Sequence, residues 1–108
     1  MKTVKDKKAK IATVCLPEKA VREESSSLIQ IVEDLVRDGY KKIIFDFKET
    51  TMIDSATLGA LIHVRRQHIE KETSLSLSGV KGYVKTVIDN AKISMLFSDA
   101  DNLVEKKE

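Results

Sequence analysis

Apolar positions fall into runs whose period changes along the chain, and the changes mark out elements. "KTV" (residues 2–4) has room for a short edge strand only, and a lysine-rich turn follows it. "KIATVCL" is β-branched and apolar until Pro17 stops it, which predicts a strand. "EKAVREE" (18–24) shows no period and reads as a loop feeding a helix. From Glu24 to Asp38, residues Leu28, Ile31, Val32, Leu35 and Val36 recur at helical spacing, and Gly39 supplies the stop. Ser25, Ser26 and Ser27 fall in the first turn, where hydroxyls can cap open N–H groups. "KKIIFDF" (41–47) is continuously apolar enough to predict a central strand covered on both faces, and "KETTMI" leads off it.

A second helix is predicted over Ala56–Lys71, with Leu58, Leu61, Ile62, Val64 and Ile69 inward and Gly59 and Ala60 allowing close packing. "SLSLSG" alternates strictly, a strand with Leu75 and Leu77 inward. Val80, Val84, Val87, Ile88 and Ala91 form another stripe, so residues 80–91 read as a helix despite Gly82. "ISMLF" (93–97) predicts a last strand, and residues 98–108 a short charged helix with Ser98 and Asp99 as caps. The order β-β-α-β-α-β-α-β-α implies one α/β domain over 1–108, a mostly parallel sheet of four to five strands carrying four helices.

Composition narrows the chemistry. A chain of 108 residues buries roughly two-thirds of its extended surface, enough for one core. Nineteen basic and 17 acidic residues nearly cancel, and five aromatics without Trp leave little to stack on bases, so nucleic acid is not an expected partner. The basic run Lys5–Lys10 reads as a solvated turn. The lone Cys15 can build neither a disulfide framework nor a thiolate metal site, and its apolar surroundings predict a small buried hydrophobe. No apolar run reaches ~18 residues and no signal peptide is visible; cytoplasmic location without membrane insertion is the expectation. No glycine-rich phosphate loop follows a strand, which argues against a nucleotide-binding enzyme, and no cofactor is implied.

The polar pair Asp54-Ser55 stands between a strand-like and a helix-like stretch. Asp54 is suited to be the N-cap, presenting Ser55 outward, and could also position its hydroxyl. Thr50 and Thr51 are hydroxyl alternatives that precede the helix. A hydrolytic Ser55 is disfavoured: His63 lies eight residues on, along the helix, and no GxSxG surrounds the serine. His63 and His68 read as surface residues beside Arg65 and Arg66, without partners for a metal site.

"IIFDFKETTMIDSATLGAL" resembles the STAS domain family, and within it the bacterial anti-sigma-factor antagonists. Asp46-Phe47 matches the strand end, Ile53-Asp54-Ser55 the switch, and Leu58-Gly59 the following helix. The resemblance implies a non-enzymatic protein that binds an anti-sigma factor with serine kinase activity and is phosphorylated from ATP at Ser55, losing that partner. A phosphatase would restore it. Asp54, Ser55, Ala56, Thr57, Thr51 and Met52 become the expected partner-binding residues. An alternative within the family is a scaffold or regulatory subunit of a stress-signalling or membrane-transport complex.

Overall fold

The computed structural model describes residues 1–68, 73–93 and 97. Strands β1 (Lys2–Asp6), β2 (Ile11–Cys15), β4 (Lys42–Asp46) and β6 (Ser74–Ser78) form one sheet in the order β1-β2-β4-β6. The β1–β2 pair is antiparallel; β2–β4 and β4–β6 are parallel. The four-stranded sheet is therefore mixed, with two parallel pairs and one antiparallel, because a tight hairpin reverses the chain before the first crossover. Two short strands absent from the sequence reading, β3 (Lys19–Ala20) and β5 (Met52–Ile53), pair in parallel as a separate ribbon. Among the described residues there are three helices, α1 (Arg22–Arg37), α2 (Ser55–Gln67) and α3 (Gly82–Asn90). The expected fourth helix and most of the expected strand at 93–97 lie outside the described residues.

The register explains the core. Ala12, Ile43 and Leu75 are cross-strand neighbours, as are Val14, Phe45 and Leu77, so two buried rows run across the sheet. The stripes Leu28–Val32–Leu35 of α1, Ala60–Leu61–Val64 of α2 and Val84–Ile88 of α3 complete one cluster with them. Fully burying a side chain such as Phe45 or Phe47 contributes about 1.5–3 kcal/mol. Phe97 is also buried, and its ring meets Phe45 edge-on at 6.0 Å. Coverage is less symmetric than the apolar run of β4 suggests. Ile43 and Phe45 are buried, whereas Ile44 and Asp46 on the other face are only partly so. Cys15 also falls on that second face and is partly exposed rather than buried, because the pleat of β2 gives the core to Ala12 and Val14. Ala91, expected inward, is exposed just past the end of α3.

Helix boundaries follow local chemistry. α1 ends where Gly39 (φ +94°) sends its N–H to Val36 O and Tyr40 sends its own to Leu35 O, the paired bonds of a Schellman stop. It starts at Arg22, two residues before the sequence pattern begins. Ser25 Oγ donates to Arg22 O at 2.8 Å instead of accepting from an open N–H, so the expected serine cap is not made there.

Candidate functional site

Two residues separate the end of the β5 ribbon from the body of α2, and their roles divide cleanly. Asp54 is the N-cap, in extended backbone, and its Oδ1 accepts the Thr57 N–H at 3.0 Å. Its Oδ2 accepts a second N–H, that of Arg22 at the start of α1, at 2.9 Å. Val21, the N-cap of α1, makes no side-chain cap bond, so one carboxylate serves the N-termini of two helices. The Thr57 N–H above all, then the Arg22 N–H and the Arg22 charge, hold the Asp54 carboxyl below its ordinary pKa against partial desolvation. Ser55 is the first residue of α2 and is exposed.

The segment before Asp54 is stitched to residues 16–20. Thr50 is buried and its hydroxyl donates to Pro17 O at 2.8 Å, which removes it as a phosphoacceptor candidate. The N–H groups of Thr51 and Met52 both reach Glu18 O, and Lys19 and Ala20 pair with Met52 and Ile53. Thr57 closes the unit: its hydroxyl donates to Ala20 O at 2.8 Å.

Of the residues expected to face a partner, Thr51, Met52 and Ser55 are exposed, with Met52 at 45% of its full surface. Asp54 and Ala56 are partly buried. Thr57 is a correction: at 0% exposure its side chain serves the ribbon, because the third residue of α2 turns inward against β3. His63 is exposed, as expected, but His68 is buried, since it closes the C-terminal turn of α2 with its ring against the protein. Ser55 and His68 lie at opposite ends of a 13-residue helix, about 20 Å apart along its axis, too far for a serine–histidine pair. Among the described residues no group of three or more His, Cys, Asp or Glu could hold a metal.

Arg22 is the participant that sequence reading missed. A weak signal existed: a helix preceded by Val21 lacks its own cap and must find an acceptor elsewhere in the fold.

The STAS domain model of the protein families matches residues 4–106. No curated protein gives a significant match. Among solved structures, a candidate anti-sigma factor antagonist from Thermotoga maritima, TM1081, superposes with a TM-score of 0.76 at 15% identity, covering 97% of this chain and 92% of its own. A sulfate transporter family protein from Wolinella succinogenes gives 0.75 at 15% identity, over 91% and 78%. The anti-sigma factor antagonist SpoIIAA has been solved unphosphorylated and phosphorylated. The phosphorylated form, a Bacillus cell fate determinant, gives 0.65 at 11% identity, over 93% of both chains. Likeness at these identities is one of fold. With the family match spanning nearly the whole sequence, the chain belongs to the STAS domain family.

Proposed function

We propose that this protein is an anti-sigma-factor antagonist whose unphosphorylated form binds an anti-sigma factor with serine kinase activity, freeing the sigma factor. The kinase transfers the γ-phosphoryl group of ATP to Ser55 Oγ: the new O–P bond forms, the β–γ bridge breaks, ADP leaves and the hydroxyl proton is lost. A phosphatase hydrolyses the ester and restores the binding form. The observation that carries this reading is the exposure of Ser55 at the first position of α2, beside a carboxylate already committed to capping.

The chemistry suits a switch. Phosphate adds about −1.5 to −2 charges, which the open N–H groups and the positive end of a helix dipole tolerate. A docked protein face must desolvate or repel that charge, and a loss of about 2.8 kcal/mol already weakens a complex a hundredfold. The domain accepts the modification; the interface does not.

The test is to mix the protein with candidate anti-sigma kinases and ATP and to map any phosphate by mass spectrometry. Phosphate is expected on Ser55. Ser55→Ala should stay bound in the presence of ATP, and Ser55→Glu should bind on the order of a hundredfold more weakly. Equal affinity of Ser55→Glu and wild type would remove the electrostatic basis of release.

The fold likeness to the sulfate transporter family protein supports a second reading, a regulatory subunit of a membrane-transport complex. Copurification separates the two: a kinase-like anti-sigma factor supports the first, and a membrane permease the second.

A further inference from the structure

The end of the sheet opposite Ser55 carries a separate feature. The β1–β2 hairpin turns through residues 7–10, held by Asp6 Oδ1, which accepts the Ala9 N–H at 3.0 Å, and by Lys10 in the left-handed region (φ +61°). Lys10 O then receives the N–H groups of Lys41 and Lys42, which fixes the turn against the start of β4. The result is that Lys5, Lys7, Lys8 and Lys10 project from one rim, all exposed, with Lys42 next to them. Lys5, Lys7 and Lys10 share a cleft of about 350 Å³ with Asp38 and Tyr40.

Among the described residues these five lysines stand with two carboxylates, Asp6 and Asp38, a local balance more positive than the +2 of the whole chain. A charge distribution of this kind acts through the field it makes rather than through one contact. The cations are lysines, point charges without the fork that reads bases or clasps a single phosphate. The aromatic in the cleft, Tyr40, is buried and offers no stacking face. Diffuse positive charge without a stacking platform suits a diffuse anionic surface.

We infer that the lysine end of this protein docks on the anionic phospholipid surface of a membrane, by electrostatic attraction and without insertion. Clusters of four to eight lysines next to an anionic leaflet gain substantially per residue and lose that gain beyond about a Debye length, roughly 8–10 Å. The geometry leaves the switch free. β2 and β4 begin at the lysine end, whereas α2 begins beyond the far end of β4, five residues or about 16 Å along the sheet. Ser55 therefore faces away from a surface bound at the hairpin. This docking does not depend on the reading of Ser55.

Sedimentation of the full chain with vesicles tests it. Vesicles of phosphatidylcholine with about one-third phosphatidylglycerol are expected to pull down the protein at 50 mM salt, and pure phosphatidylcholine vesicles are not. Lys7→Glu/Lys8→Glu should lose about thirtyfold or more in partitioning, the loss that two lysine contacts imply. Lys19→Glu/Lys48→Glu, which changes net charge equally on exposed positions at the other end, should lose far less. Circular dichroism melts establish that both variants fold, and Lys7→Gln/Lys8→Gln replaces the reversal if it does not. Equal binding to both vesicle types, equal loss in both double variants, or tighter binding to a single-stranded RNA 20-mer than to the vesicles at equal phosphate would each overturn the assignment.

Discussion

Asp54 has two carboxylate oxygens and both are occupied: one accepts from its own helix, the other from the start of a helix 32 residues earlier in the chain. The first role was legible in the sequence, because Asp before an apolar-periodic segment is a preferred N-cap. The second was not, since nothing local to Arg22 announces a partner so far along the chain. The two roles predict distinguishable variants. Asp54→Asn keeps one acceptor for the Thr57 N–H but turns an amide donor toward the Arg22 N–H, and Asp54→Ala keeps neither bond. Urea midpoints at pH 7 should fall in the order wild type, Asn, Ala. The pH dependence follows from the lowered pKa. A carboxyl depressed in the folded state contributes fully above its unfolded value, about 3.9, and the contribution fades as pH falls through the lower folded value. The gap between wild type and Asp54→Asn should thus be widest at pH 5–7 and narrow below about pH 4. A gap that widened on acidification would contradict the capping account.

At the scale of elements, long periodic segments were readable and short ones were not. Leu28, Val32 and Leu35 of the α1 stripe are buried and Ile31 and Val36 partly so, and Leu75 and Leu77 of β6 are buried as expected; Ser76 between them is buried too, because the middle of β6 is covered on both faces. The β3–β5 ribbon escaped because two-residue strands carry no period; they exist through Glu18 O, Thr57 Oγ and the parallel register of Ala20 with Ile53. Burial of His68 and exposure of Ala91 escaped for a related reason, since each stands at a helix end where a shift of one residue changes the face. Two glycines show how position decides meaning. Gly79, after β6, has φ +70°, and an added Cβ would stand 2.8 Å from Lys48 N and 3.0 Å from Asp46 Oδ1. Gly59 lies inside α2 with nothing within 4 Å of its would-be Cβ. Gly79→Ala should destabilise by about 1–3 kcal/mol, and Gly59→Ala should stabilise by about 0.5–1 kcal/mol. Chemical denaturation of the two variants checks both signs.

On the scale of the whole molecule, Ser55 sits apart from what holds the fold. The core rows and helix stripes lie inside, while Ser55 projects from a helix start that Asp54, Thr57 and the ribbon keep in place without it. A charge at position 55 meets two opposed effects. The helix N-terminus favours it by about 0.3–1 kcal/mol, and the neighbouring Asp54 carboxylate disfavours it. Their opposition predicts that Ser55→Glu melts within about 5 °C of wild type, a shift matching less than roughly 1 kcal/mol for a domain of this size. If the proposed function holds, the same variant should bind an anti-sigma factor more weakly. Calorimetry of the isolated variant, run beside a binding titration, separates the two effects. A melting temperature lowered by 15 °C or more would mean that a charge at this position acts by loosening the domain, and release would then be a consequence of local unfolding rather than of repulsion across an intact interface.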